Sequence, residues 1–328
     1  MFSCMNLSQI SAFHAVMTSA SLSEAAKKLG RTQPAVSAAI KTLEDQLGLK
    51  LFTREGRKLV PVPEAQYLLT ETSAILGQLT RVRRTMKSLA DGQTGSLNIA
   101  AMPGPAAMLF PRFIASQIKP DAGTSVSILA RSSVQIAELA RAQSIDFGFA
   151  DAPEADSTED LYAAEIISAR SFVALPARHP LAQHKQLSIA NLDGVPMGSL
   201  LSSHAHQREV IARFEATDAQ WSLMVESQTF LQVVQFISKG LCSAILDPLT
   251  VAHINATSDL RRSVAIRPLT EILRYRYAIF EPRYCPMSVI ALQIKSAWRE
   301  EVIRLLKEIG ADPRIEMRSQ SMSASMSV

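Results

Sequence analysis

The sequence predicts an α/β region of two lobes, preceded by a mainly α, winged helix-turn-helix module and a long linker helix. Three observations predict it. Two helical patterns meet at a tight turn between Ser21 and Ser37, a heptad seam runs from Leu68 to Leu89, and strand-like and helix-like segments alternate from Leu97 onward. The 328 residues suffice for two or three domains with real cores, and 47% hydrophobic with 20% charged residues is the balance of a globular chain.

Leu7, Ile10, Phe13, Val16 and Met17 give one apolar helical face over residues 6–18. Ser21 and Glu24 stand at capping-box spacing, so a second helix is expected just after Ser21, with Ala25, Ala26 and Leu29 as a narrow face that another helix can approach closely. Gly30 supplies the left-handed backbone that ends it. Thr32 is a good N-cap for the third helix, and Pro34 falls in its first turn, where a missing N–H removes no bond. Val36, Ile40, Leu43 and Leu47 follow at helical spacing until Gly48 closes the run. Leu49–Phe52, the basic turn Arg54–Lys58 and Leu59–Val60 read as a hairpin of the wing type, with Arg54, Arg57 and Lys58 directed at phosphates. Residues 1–96 hold 12 Lys and Arg against 7 Asp and Glu, whereas residues 97–328 hold 22 against 23. A cationic module beside a near-neutral remainder points to nucleic acid as the partner of the first part.

From Glu64 to Ala90, the positions Leu68, Thr72, Ile75, Leu79, Val82, Met86 and Leu89 alternate spacings of 4 and 3. That is a heptad seam with one polar member, and it predicts a homodimer through this helix. Asp91–Gly95 breaks the pattern and marks a boundary. Beyond it, strands are expected at 97–101, 125–129, 147–149, 171–175, 195–199, 222–226, 243–246 and 275–280. Helices are expected at 106–118, 134–142, 207–215, 230–239 and 288–309, giving a largely parallel sheet in two similar lobes with a cleft between them. Residues 312–328, rich in Ser and Met, are expected to form a disordered tail.

Turns at strand ends facing the cleft supply the candidate ligand contacts, because α/β sheets bind at such edges. Met102, Pro103 and Gly104 precede a helix whose amides would favour an anionic group. Ser132 and Ser133 occupy the turn after the second strand, Ser199, Ser202 and Ser203 the corresponding turn of the second lobe, and Gln228 and Thr229 another helix start. Each serine serves equally well as a plain helix cap. Asp247 follows the 243–246 strand and could pair with a ligand amine or guanidinium. Hydroxyls and amides of this kind suit a small polar carboxylate or amino-acid derivative.

Nothing in the sequence requires catalysis. Cys4, Cys242 and Cys285 are widely spaced, the six histidines show no metal-ligand spacing, and no Gly-x-Ser-x-Gly elbow or Walker-type loop occurs. No metal, cofactor or enzymatic activity is expected. No apolar run reaches the roughly 18 residues of a membrane span and no signal-peptide pattern opens the chain, so a cytoplasmic protein with no membrane partner is expected.

The run Ala25-Ala26-x-x-Leu29, Thr32-Gln33-Pro34-Ala35-Val36-Ser37, Ile40, Leu43-Glu44, Leu47-Gly48, Leu51-Phe52 and Arg54 resembles the N-terminal signature of the LysR-type transcriptional regulators. The resemblance implies a DNA-binding domain over residues 1–63, a dimerising linker helix over 64–91 and an effector domain over 92–311 whose two lobes are similar to periplasmic binding proteins. It also implies a tetramer built from two dimers, a double-stranded operator with interrupted inverted symmetry, and contact with RNA polymerase if the protein activates. Leu97–Pro103 and Leu109–Phe113 look closest to the branch that contains regulators of opine catabolism. Ala38 stands where many members carry a basic residue, and Val62 where the family often has Thr.

In that frame Gln33 can read adenine bidentately, Ser37 and Thr32 can serve bases or phosphate, and Pro34 can pack on a thymine methyl. Lys41, Lys50, Arg54, Arg57 and Lys58 are assigned to the DNA backbone. The competing reading is a cytoplasmic small-molecule receptor or enzyme that uses the α/β region, with the N-terminus as a docking module.

Overall fold

The computed structural model describes residues 5–55, 58–90, 95–119, 123–153 and 161–316. Contacts divide the chain into two compact units, Met1–Lys87 with Arg141–Ser144, and Ser88–Ala140 with Ile145–Val328.

The first unit holds α1 (Leu7–Met17), α2 (Leu22–Lys28), α3 (Gln33–Leu47), the hairpin β1 (Phe52–Glu55) and β2 (Lys58–Pro61), and α4 (Pro63–Ala90). Phe13, Val36, Leu43 and Leu51 fill its core, and Ala12, Ala25 and Ala65 are buried because only small residues fit where the helices meet. Asn6 and Gln9 form a reciprocal capping box on α1. At α2 only half of the expected box forms: the Ser21 hydroxyl accepts from the Glu24 N–H, but the Glu24 carboxylate accepts from Ala20 and not from Ser21. Gly30 and Gly48 end α2 and α3 at φ of +61° and +70°. Along α4, Leu68 and Leu69 pack on this core and Thr72 is buried, its hydroxyl returning to the Leu68 carbonyl at 2.6 Å. Ile75, Val82 and Met86 are exposed instead, Val82 at 57% and Met86 at 60%. The side chain of Leu89 lies outside those described.

The second unit runs β3 (Gly95–Ala101), α5 (Pro103–Met108), α6 (Phe110–Gln117), β4 (Thr124–Ala130), α7 (Ser133–Arg141), β5 (Phe147–Asp151), β6 (Tyr162–Arg170), β7 (Phe172–Pro176), β8 (Pro196–Leu200) and α8 (Ala205–Ala216). It continues through β9 (Ser222–Ser227), α9 (Phe230–Ser238), β10 (Ala244–Leu246), α10 (Pro248–Ala256), α11 (Ser258–Ser263), β11 (Val264–Pro268), β12 (Arg274–Pro282), α12 (Val289–Glu308) and β13 (Arg314–Glu316). The first lobe is a six-stranded sheet in the order β13-β6-β12-β5-β3-β4. Trp298 of α12 is fully buried against it, with ring centroids 4.2 Å from Phe110, 5.1 Å from Phe113 and 5.3 Å from Phe149. The second lobe contains β10-β7-β11 and the pair β8-β9, brought side by side by a bridge between Met197 and Ser243.

Several expectations need correction. The six-stranded sheet is mixed: β3 runs parallel to β4 and β5, but β12 is antiparallel to β5 and β6, and β13 to β6. The chain leaves the first lobe through β6 and re-enters through β12, so those neighbours must run in opposite senses. The single helix expected at 106–118 is two helices broken at Leu109, because Pro111 has no N–H and its ring conflicts with a continuous helix. Ser199 lies buried inside β8 and not in a turn. The tail is ordered further than expected, since Arg314–Glu316 pairs with β6 and is held by Arg274 on Asp312 and Arg276 on Glu316; residues 317–328 lie outside the described residues. Among the described residues no helix is long and apolar enough to cross a membrane, and no group of three or more His, Cys, Asp or Glu could hold a metal ion.

Candidate functional site

Two surfaces carry candidate chemistry, one in each unit. In the first, α3 divides cleanly along its length. Val36, Ile40 and Leu43 are buried, whereas Thr32, Gln33, Pro34, Ser37 and Lys41 are exposed, as the 3.6-residue period requires of a helix half sunk in a small core. The Thr32 hydroxyl caps the helix by accepting from the Ala35 N–H at 3.4 Å, and the Gln33 carbonyl oxygen accepts from the Ser23 hydroxyl at 3.3 Å. That contact holds the Gln33 side-chain oxygen toward α2. Ala38 is also exposed and adds no polar group to the face.

The far end of α3 is fixed by a residue that the spacing of apolar positions does not single out. Glu44 is buried, and its carboxylate accepts from the N–H groups of Leu51 at 2.8 Å and Phe52 at 3.2 Å and from the Lys50 ammonium at 3.0 Å. Burial opposes its ionisation, but the Leu51 N–H, the Lys50 ammonium and the Phe52 N–H together hold its pKa below the ordinary carboxylate value. Lys50, assigned above to DNA, is therefore engaged with Glu44. In the wing, Thr53 faces Val60 and Arg54 faces Leu59, with Lys58 opening the second strand. Arg57 lies outside the described residues.

In the second unit the carboxyl ends of β4, β3 and β5 form one edge, and those of β8, β9 and β10 another. Met102 is buried and its N–H donates to the Phe149 carbonyl at 2.9 Å. Pro103 and Pro105 have no N–H to offer, so Gly104 carries the one free amide among the first three residues of α5. Ser132 is a cap for α7, exchanging bonds with Gln135 at 3.1 and 3.4 Å. On the second edge the Ser202 N–H donates to Glu226 at 2.7 Å, the Ser203 carbonyl accepts from Arg208 at 2.6 Å, Gln228 is exposed, and Thr229 opens α9 without a side-chain capping bond. Asp247 is not an open carboxylate: it is buried, caps α10 through the N–H groups of Leu249 and Thr250, and accepts the Tyr277 hydroxyl at 2.6 Å. Burial, reinforced by the Asp151 charge, raises its pKa against the bonds from Thr250 and Tyr277.

The two edges meet at Asp151, the last residue of β5. Its carboxylate accepts the Ser133 hydroxyl at 2.5 Å and the Tyr275 hydroxyl at 2.6 Å, and lies 3.1 Å from Nε2 of His204, the N-cap residue of α8 in the other lobe. Burial works against the charge, yet His204 and the two hydroxyls keep the Asp151 pKa below its ordinary value. Behind His204, the ring of His206 packs 4.8 Å from Tyr275, and burial pushes its pKa down to about 3. Of the sequence candidates, Ser133 is thus brought into this cluster, whereas Asp151, His204 and Tyr275 are new. The available signal for Asp151 was its place directly after a run of apolar residues, Phe147–Ala150, at the binding edge of the sheet.

Comparison with known proteins agrees with this architecture. Residues 7–66 match the family model "Bacterial regulatory helix-turn-helix protein, lysR family", and residues 90–278 match "LysR substrate binding domain". The chain is 30% identical over 268 residues to the octopine catabolism/uptake operon regulatory protein OccR of Rhizobium meliloti, covering 81% of this chain and 86% of that one. It is 26% identical over 289 residues to the regulatory protein NocR of Agrobacterium fabrum, covering 88% and 94%. Among solved structures, CbnR, a LysR family transcriptional regulator, superposes with a TM-score of 0.59 at 18% identity over 92% of this chain and 99% of that one. A full-length OxyR variant from Pseudomonas aeruginosa gives 0.57 at 18% over 93% and 94%, and at such identities the likeness is one of fold. With one family model on its helix-turn-helix and a second on more than half of its length, the chain belongs to the LysR family of transcriptional regulators.

Proposed function

We propose that α3 is the recognition helix of a ligand-responsive regulator, with Gln33 and Ser37 on base edges, Thr32 and Pro34 at the groove wall, and Lys41, Arg54, Arg57 and Lys58 on the phosphate backbone. The division of α3 into a buried apolar face and an exposed polar one carries this reading. The exposed seam of Ile75, Val82 and Met86 supports pairing of two α4 helices into a homodimer, which the family resemblance extends to a tetramer. One relative's structure is described as full-length CbnR complexed with the target DNA, which supports a duplex operator as the partner here. The protein acts in the cytoplasm as a regulator and not as an enzyme, and it contacts RNA polymerase where it activates.

The effector is a small polar molecule, an amino-acid derivative or opine, bound where the edges containing Met102, Pro103, Gly104, Ser132 and Ser133 face those containing Ser202, Ser203, Gln228 and Thr229. The names of OccR and NocR as regulators, the former of octopine catabolism and uptake, support that class. Ser199 and Asp247 contribute from behind, as buried members of the strands and caps that shape the edge. A gel shift with the DNA flanking its own gene tests the regulator reading. Gln33→Ala should weaken binding by about 1–3 kcal/mol and relax preference at one base pair; an unchanged footprint removes Gln33 from its role.

A further inference from the structure

The Asp151 carboxylate has no lysine or arginine among its side-chain partners Ser133, Tyr275 and His204. Ser133 and Tyr275 bring neutral hydroxyls, the tyrosine held neutral by burial and by the carboxylates around it. The backbone N–H of His206 points at His204 Nδ1 at 3.3 Å, which leaves Nε2 as the ring nitrogen that faces Asp151 at 3.1 Å. Beyond Tyr275 a second carboxylate, Asp247, accepts from Tyr277, whose ring centroid is 4.9 Å from that of Tyr275. Elsewhere in this unit Glu165 is paired with Arg299, Glu281 with Lys295 and Asp312 with Arg274. Asp151 has three hydrogen-bond partners and no guanidinium or ammonium among them.

A second observation points to the same spot. His206 is 6% exposed, and neither of its ring nitrogens makes a hydrogen bond of ordinary geometry, although it packs against Tyr275 and lies near the Ile245 carbonyl. A buried polar ring left in this state is rare in a region whose only task is packing. The Asp151–His204 contact itself is reachable, with 20% and 24% of the two side chains exposed.

We infer that Asp151 is the specificity-determining residue for a basic effector, one whose ammonium or guanidinium takes the place of His204 on the Asp151 carboxylate. This rests on the reading of the two facing edges as the effector site. A permanent cation there makes a charge-assisted bond to the carboxylate, bidentate in the case of guanidinium. It also releases the tie between β5 and the N-terminus of α8, so that occupancy changes what joins the two lobes. A neutral analogue of the same shape leaves the carboxylate without a counter-charge and is rejected, as sites built around one polar group reject ligands that lack its partner.

The test titrates the full-length protein calorimetrically with L-arginine, L-lysine and octopine, and with L-citrulline and L-norleucine, which match the first two in length and have no side-chain cation. Basic compounds should bind at least one hundredfold more tightly than their neutral counterparts, and Asp151→Asn should abolish that preference. His204→Asn keeps a good N-cap for α8 and removes the competing imidazole, so it should tighten binding of the basic compound several-fold, a gain that misfolding cannot imitate. Equal binding of arginine and citrulline, unchanged preference in Asp151→Asn, or weaker binding in His204→Asn overturns the inference. So does the absence of binding by every basic compound while the protein still shifts its own flanking DNA. Loss of the DNA shift in the wild-type protein refutes the regulator reading instead.

Discussion

His206 gives a sharp prediction because its burial has a measurable signature in acid. Its pKa is about 3 in the folded chain against 6.5 for the free side chain, with burial as the largest cause. The unfolded chain therefore binds a proton as pH falls through 6.5, while the folded chain does not until about pH 3, so the folded state loses stability across that window. Linkage for one such group amounts to about 2 kcal/mol between pH 7 and pH 5, and about 1.4 kcal/mol for each further unit down to pH 3. His206→Phe removes both ring nitrogens, keeps an aromatic ring beside Tyr275 and Phe230, and breaks no well-formed hydrogen bond of the ring. Trp221 and Trp298 are the chain's two tryptophans and both belong to the second unit, so urea unfolding followed by tryptophan fluorescence reports on that unit alone. The variant should match or exceed wild type at pH 5, and the wild-type-minus-variant difference should shift by about 2 kcal/mol between pH 7 and 5. A difference that stays constant over that range refutes the claim that His206 is held neutral.

Glu44→Gln should destabilise the first unit by about 1–3 kcal/mol, since the buried N–H groups of Leu51 and Phe52 lose a charged acceptor. Because the folded pKa of Glu44 is depressed, its contribution is complete above the unfolded value near 4.5 and is lost as pH falls through the folded value; thermal melts at pH 7 and pH 3 should see the gap between variant and wild type close. Val82→Asp combined with Met86→Asp should shift sedimentation toward monomer and weaken operator binding, with no change in the melting of the isolated chain beyond about 0.5 kcal/mol, since both positions are exposed. Ending the chain after Ala311 should expose the edge of β6 and lower stability, which hydrogen exchange at the alternate β6 amides that face β13 would detect as lost protection, while those facing β12 stay protected longer.

The first unit was legible because its signals are local. Caps, positive-φ glycines and the period of Val36, Ile40 and Leu43 each act within a turn or two of chain, so three helices and the wing could be placed from the residues alone. The second unit was legible only where apolar runs were short and bounded. Tyr162–Arg170 escaped because its three alanines and Glu165 are weak strand formers and blur the alternation, and it is a strand by virtue of pairing with β12 on one side and β13 on the other. Arg314–Glu316 was hidden for the same reason: three residues become a strand only because β6 offers them an edge. The central residues of the candidate site were harder still. Asp151, His204 and Tyr275 are separated by 53 residues or more and share no motif, so their meeting is a property of the chain's path between the lobes.

Glu44 joins the C-terminal half of α3 to the root of the β1-β2 hairpin through a single carboxylate. The helix that would enter a groove and the first strand of the hairpin that would straddle the neighbouring phosphates therefore share one buried anchor, which ties their placement together. If the proposed pairing holds, an effector that leaves this anchor intact would act on the spacing or angle between two such pieces, and induction would then show itself as a change in which half-sites are occupied while the contacts within each half-site stay the same.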